Sequence, residues 1–525
     1  MKPRVKPVWW TRSQWNQSDS ESELCQQWTR RKRRVFGHDS SVPLQTLQPS
    51  SDDDDDEDDD AMSEGEESNQ QVKTIPIPST CLELGVIDTS APAAHLINVI
   101  PPRHSNLRLI QGLNLYDLNL TLYDDPDSDE RILNEAICNH STRLIFISSS
   151  LLKIEEYAFH QSQLKYMIFA RGAQMTFIDR GAFSCTESLH SVIFPPSIET
   201  LGNFIFDHSF IQFVSFPSTT KLQAIPSHAF VNSHLSSIEI PASVERIEDV
   251  AFFGTYLESI AFPSNSKLRS IAEQLFSCCK RLTSIEIPAS VQVIEESAFE
   301  NSSCHSITFA PNSQLEMIGT CAFHGCSNLT SLKIPSSVEE IEEYAFFDSG
   351  LESICFGSVK VGRVSGYLFS KCWNLTSIEI SANVEEIEEY AFRSSGLKSI
   401  TFAPGSSLKR IDRGAFSECH NLSSICFPSS LEHLEAQAFM NSSVSSVSFM
   451  PNSPLIMIGE SAFEGCTLES IDIPSSVEEI GDRAFANSNV KSVVFSPDSK
   501  LRKIGKQAFE GCALEVINIP SSIVY

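Results

Sequence analysis

Apolar residues recur in one phase along most of this chain, and the stretch from Leu329 to Phe346 shows the pattern in full: Leu-Thr-Ser-Leu-Lys-Ile-Pro-Ser-Ser-Val-Glu-Glu-Ile-Glu-Glu-Tyr-Ala-Phe. Near-copies run from about residue 138 to the C-terminus, so the repeat is the unit of organisation. The Phe that closes each copy, from Phe159 and Phe183 through Phe346 to Phe509, recurs every 22 to 24 residues. Within a copy, Ser331 to Ile334 alternates polar and apolar. That predicts a short strand with Leu332 and Ile334 inward and Ser331 and Lys333 outward. Pro335 has no N–H to continue a ladder and ends it. Val338 and Ile341 return the chain to the core, and the segment around Tyr344 to Phe346 is expected to pack the opposite wall as a short helix or 3-10 turn. One unit is too small to hold a core of its own. Stacking the strands in parallel at about 4.8 Å buries a Leu/Ile/Val column and a Phe column along the whole array. Seventeen strand ends between Ile147 and Ile519 predict a face of roughly 75 to 80 Å.

Consecutive units differ. From strand end to closing Phe the count alternates between 12 and 14 residues, as in Ile240 to Phe252 and then Phe262 to Phe276, with 13 at Phe356 to Phe369. The true period is therefore about 47, two units per module. Short connections are acidic, as at Glu339, Glu340, Glu385 and Glu386, and long ones are often basic, as at Lys267, Arg269, Lys409 and Arg410. Parallel stacking would set these rows side by side.

Ahead of the array the periodicity is lost. Residues 1–75 are rich in Ser, Gln and charge and read as a disordered tail, with a basic run, Arg30, Arg31, Lys32, Arg33 and Arg34, followed by an acidic run from Asp52 to Asp60. The basic run reads first as a solvated tail pairing with its acidic neighbour, and otherwise fits nuclear import or nucleic-acid contact. Residues 76–137 form a transitional, capping segment, with short strands expected around Leu107 to Leu115 and a brief helix capped by Ser128. Residues 138–525 are the solenoid, of about 16 repeats.

Composition adds limits. The formal charge is −28 over 525 residues, and 34 Phe against 9 Tyr and 5 Trp point to one aromatic used repeatedly for packing. The first twenty residues lack the apolar core of a secretory signal, and no apolar run reaches membrane-span length, so the chain reads as soluble. Fifteen Cys are too sparse for a disulfide scaffold, and reduced thiols are expected.

Candidate chemistry is thin. Cys279, Cys326, Cys372, Cys419, Cys466 and Cys512 each lie three residues after a closing Phe. Metal ligation needs clustered thiolates, so one per unit at fixed phase reads as a buried column. Cys355 and Cys426 fall at outward strand positions. Sequons at Asn328, Asn374 and Asn421 share one repeat phase, which turn geometry explains. No cofactor fingerprint is present, and no His recurs beside the serines to make a nucleophile. The outward strand positions remain: a serine ladder including Ser237, Ser284, Ser331, Ser377, Ser424 and Ser470, beside a varied column with Glu239, Glu286, Lys333, Glu379 and Asp472. Such a strip suits an extended polypeptide or glycan; it also suits a solvated face on which small side chains merely fit.

At Ile473-Pro-Ser-Ser-Val-Glu-Glu-Ile-Gly-Asp-Arg-Ala-Phe485, and in the Cys-x-x-Leu-x-Ser-Ile/Leu-x-Ile-Pro strands, the chain resembles the BspA-like leucine-rich repeat family of surface antigens. The resemblance covers about residues 138 to 525. It implies an α/β repeat fold: a leucine-rich-repeat solenoid with a parallel β-sheet on one face and short helical or 3-10 turns on the other. It also implies a non-enzymatic protein-binding role, adhesin-like, with glycan or matrix and host proteins as partners. The absent export signal favours instead a cytoplasmic or nuclear scaffold, whereas the family suggests the cell surface. Nucleic acid is not expected as a partner. Self-association is expected at the C-terminal edge, where no cap is evident after Pro520.

Overall fold

The chain divides into residues 1–70 and 71–525. The computed structural model describes residues 120–123, 144–147, 151–169, 172–355 and 359–523. The tail with Arg30 to Arg34, and most of the transitional segment, lie outside the described residues.

The array is a parallel-strand solenoid of about sixteen turns. Each turn contributes a longer strand, such as Ser331–Lys333, then a two-residue strand, such as Glu340–Ile341, then a turn centred on the closing Phe. The longer strands form the expected face, with Leu332 buried between exposed Ser331 and Lys333. The two-residue strands form a second ladder that hydrophobic alternation does not reveal, because only one of the two side chains is buried. Val338 and Ile341 enter the core as expected.

No described residue is helical, which corrects the expected helical wall. In its place each unit carries two residues in the left-handed region, two before and two after the closing Phe: Tyr344 at φ 59° and Asp348 at φ 54° frame Phe346. A helix would direct every N–H along its own axis and leave neighbouring units unlinked. Alternating hand turns successive peptides in opposite directions. The N–H groups of Tyr344, Phe346 and Asp348 therefore donate to the carbonyls of Gly366, Leu368 and Ser370 in the next unit, at 3.1, 3.2 and 3.0 Å. Those of Phe347 and Ser349 bond within the unit, to Tyr344 and Phe346. Buried backbone groups are satisfied without a helix. The same forward bonds recur from Tyr157, Phe159 and Gln161 to Arg483, Phe485 and Asn487.

Behind this wall the closing Phe rings form an unbroken stack from Phe159 to Phe509. Phe323 and Phe346 are typical, with centroids 5.3 Å apart and planes inclined by 4°. Both are fully buried.

The two-unit module is visible in the hydrogen bonding. Longer strands pair within modules, Ser284–Ile287 with Ser306–Phe309, Ser331–Lys333 with Ser353–Cys355, and Ser377–Ile380 with Ser399–Phe402, whereas the strand ladder is interrupted between these pairs. At each interruption the buried cysteine bridges instead. Cys326 Sγ donates to Phe299 O at 3.0 Å and lies 3.5 Å from Ser302 Oγ, both in the preceding unit. Cys279, Cys372, Cys419 and Cys466 repeat the arrangement with Thr255, Ser349, Ser395 and Ser442. The short ladder breaks once in this region, between Glu340–Ile341 and Arg363–Val364, beside the connection whose count is 13. There Ser365 Oγ donates to Ile341 O.

Candidate recognition face

On the long-strand face Ser284, Ser331, Ser377, Ser424 and Ser470 are exposed and Ser237 is half-buried. Glu239, Glu286, Lys333, Glu379 and Asp472 are exposed two residues further along the same strands. Register sets Ser against Ser, as in Ser331 with Ser353, and each charged residue against a neutral one: Glu239 with Ala261, Glu286 with Thr308, Lys333 with Cys355, Glu379 with Thr401 and Asp472 with Val494. The carboxylates are thus aligned along the array but never adjacent, and the module keeps them at least two strands, about 9.6 Å, apart. Like charges directly opposite would be destabilising. Nothing else brings these residues into one cluster.

The face is not uniform. Phe213 stands in the serine column between Ser191 and Ser237. At the turn leading into these strands Phe210, His234 and Tyr256 follow one another, each ring edge-to-face on the next at 4.2 and 4.7 Å, and the Arg281 guanidinium lies 4.7 Å over Tyr256. Sequence reasoning passed over these four. The available signal was the break in the serine column and three successive rings at the position that holds Asn in Asn328, Asn374 and Asn421.

The edges carry the alternating charge expected from the short and long connections. Lys221 meets Glu199 at 2.8 Å, Lys267 meets Glu245 at 3.0 Å, Lys360 meets Glu339 at 3.0 Å and Lys409 meets Glu385 at 2.8 Å, each pair joining adjacent units. These pairs are exposed, so each contributes about 0 to 1 kcal/mol. Where acidic connections approach, Glu343 is held above the usual carboxylate range by partial burial and by Glu388 and Glu389. Beside it Tyr344 stacks on Tyr367 at 4.6 Å.

The thiols divide by burial. Desolvation pushes Cys279, Cys326, Cys372 and Cys419 up to about 12, and Cys466 to about 11, so these five stay protonated and unreactive; Cys512, expected in the same buried column, is only half-buried in the last unit. Cys355 and Cys426 are exposed on the face. Among the described residues no three His, Cys, Asp or Glu side chains converge as metal ligands. Two exposed histidines have local partners: His208 Nδ1 is 2.7 Å from Asp207 Oδ1, and His190 Nδ1 is 2.5 Å from the Ser188 carbonyl.

A family model agrees with this architecture. The family described as BspA type Leucine rich repeat region (6 copies) matches residues 115–224, 223–315, 310–422 and 409–525. No curated protein matches. Among solved structures, a leucine-rich repeat protein from Bacteroides ovatus is 24% identical, with 72% of this chain and 78% of that chain covered and a TM-score of 0.42. The pneumococcal vaccine antigen PcpA is 19% identical, with 68% and 79% covered and a TM-score of 0.37. A leucine-rich cell surface protein from Faecalibacterium prausnitzii is 20% identical, with 60% and 82% covered and a TM-score of 0.31.

Proposed function

Because the chain belongs to the BspA-type leucine-rich repeat family, we propose that it is a non-catalytic protein-binding protein whose long-strand face is the recognition surface. The observation that carries this reading is the face itself: a strip of small exposed hydroxyls from Ser259 to Ser492 beside a column that varies between Glu, Lys, Thr and Cys. Packing fixes the buried alternate positions and leaves these free, so partner choice is written in them. A photo-crosslinking residue placed at Ser331 or Ser377 in the full chain tests it. The expected result is one discrete polypeptide adduct from both positions and none from Lys360 on the charged edge; adducts equal at all three would overturn it.

Adhesion is the form this role takes in the family, and labelling of intact cells decides it, since a protein reached only after lysis is not an adhesin. A second reading, an intracellular scaffold or nuclear regulator, is favoured by Arg30 to Arg34. Deleting residues 1–40 from a fluorescent fusion is expected to shift its localisation if that run is an address; unchanged localisation removes the nuclear version.

A further inference from the structure

Ile193, Phe210, Phe213 and Tyr256 are exposed by 58, 40, 47 and 41% within four neighbouring units, on the long-strand face or in the turn just ahead of it, whereas the serine column that Phe213 interrupts runs as serine from Ser237 to Ser492. Neighbouring units complete the same column with Ser191 and Ser237, so packing does not require the Phe213 ring. Around the rings, exposed Glu239, Glu258 and Glu286 outnumber two cations, Arg281, which pairs with Glu258 at 3.4 Å, and Lys280, which donates to the Asn301 carbonyl at 2.6 Å. A row of aromatic rings therefore lies in net negative surroundings.

We infer that this part of the face takes an extended proline-rich polypeptide carrying regularly spaced Lys or Arg. The inference rests on the protein-binding reading and names the class of partner. Two dimensions agree. Phe210 and Tyr256 are two units apart, as are Glu239 and Glu286, and two parallel strand spacings measure about 9.6 Å. One turn of polyproline II rises about 9.3 Å over three residues. A segment lying along the stack thus presents a proline to the ring row and a cation to the carboxylate row once per turn. Its ordering entropy is already low, and aromatic-lined surfaces bind it without strand pairing. Strand pairing is closed off here, because Phe213–Ser215 and Ser237–Glu239 are hydrogen-bonded on both sides. A neutral glycan would also stack on rings and donate hydroxyls to the carboxylates, but it would leave their charge unneutralised.

The test is fluorescence anisotropy on the full chain with a labelled twelve-residue Pro-Pro-Lys repeat, a Gly-Ser-Lys repeat of equal length and charge, and a neutral oligosaccharide, cellohexaose. Phe213→Ser and Tyr256→Asn install residues that the array already holds at those registers, in Ser237 and Asn328, so the fold is kept. The Pro-Pro-Lys peptide is expected to bind, the Gly-Ser-Lys peptide to bind at least about tenfold more weakly, and each variant to lose about tenfold for Pro-Pro-Lys, the effect of removing one interface anchor. Equal binding of the two peptides, indifference to both variants, or cellohexaose binding that the variants abolish would each overturn the inference. If Pro-Pro-Lys fails while crosslinks persist at Ser331 and Ser377, this inference alone falls. If the crosslinks vanish too, the protein-binding reading falls with it.

Discussion

Phe346 shows what a single position contributes. It is fully buried, with Phe323 stacked on one side at 5.3 Å and Phe369 on the other at 5.6 Å. Phe346→Ala should lower unfolding stability by about 3 to 5 kcal/mol in chemical denaturation; a loss below about 1 kcal/mol would mean that the stack is not core. Cys326 is the second instructive residue. Phase alone marked it as a small buried side chain, and it is one, but it is also a donor to Phe299 O, a partner 27 residues earlier that sequence spacing does not disclose. Its thiol is held at about 12 against an ordinary value of 9.0. The folded chain therefore keeps a proton that the unfolded chain releases above about pH 9, so this contribution is complete below pH 9 and declines as pH rises toward 12. Each such thiol removes up to about 1.4 kcal/mol per pH unit in that window. Melting curves at pH 8 and pH 10.5 should show the loss. Iodoacetamide at pH 8 should modify Cys355 and Cys426 in the native state and spare Cys279, Cys326, Cys372 and Cys419.

At the scale of the element, the longer strand was legible because alternation at Ser331 to Lys333 is a property of the strand alone. The charged edges were legible too, since Glu385 and Lys409 lie in connections whose lengths fix which rows meet. The wall was not. Tyr-Ala-Phe contains ordinary helix formers, and the left-handed state of Tyr344 and Asp348 is stabilised by carbonyls of the following unit, which local propensity cannot register. Some residues held there are poorly suited to it. Val250, a β-branched residue at φ 64°, is the clearest. Val250→Asn should stabilise the chain by about 1 kcal/mol, because Asn tolerates that conformation. A destabilisation would show that the half-buried Val side chain contributes more than its backbone strain removes. The aromatic row from Phe210 to Tyr256 escaped for a different reason: it lies in the turn ahead of the strand, away from the two outward columns that alternation marks.

Across the whole array, stability is close to a sum of units and of the junctions between them, and here the junctions alternate. From Ser259 to Ile473 long-strand pairing joins units within a module, and where it lapses from one module to the next a thiol-to-carbonyl bond is present. Removing residues 288–334, one 47-residue module, leaves Cys279 followed by the Ser349 unit and preserves the alternation. Removing residues 288–309 takes out one unit and sets the Cys279 and Cys326 units side by side without Ser302. The shorter deletion should therefore have the lower denaturation midpoint although it retains more of the array. The opposite order would mean that the junctions are equivalent.

The forward-pointing N–H groups of the wall have one more implication. A cut across the wall exposes donors on the earlier side and acceptors on the later one, so in that wall any module is a plug for the socket of any earlier module. A gene encoding such a chain can lengthen or shorten by unequal recombination without a new contact having to arise, provided the copies are exchanged in even numbers.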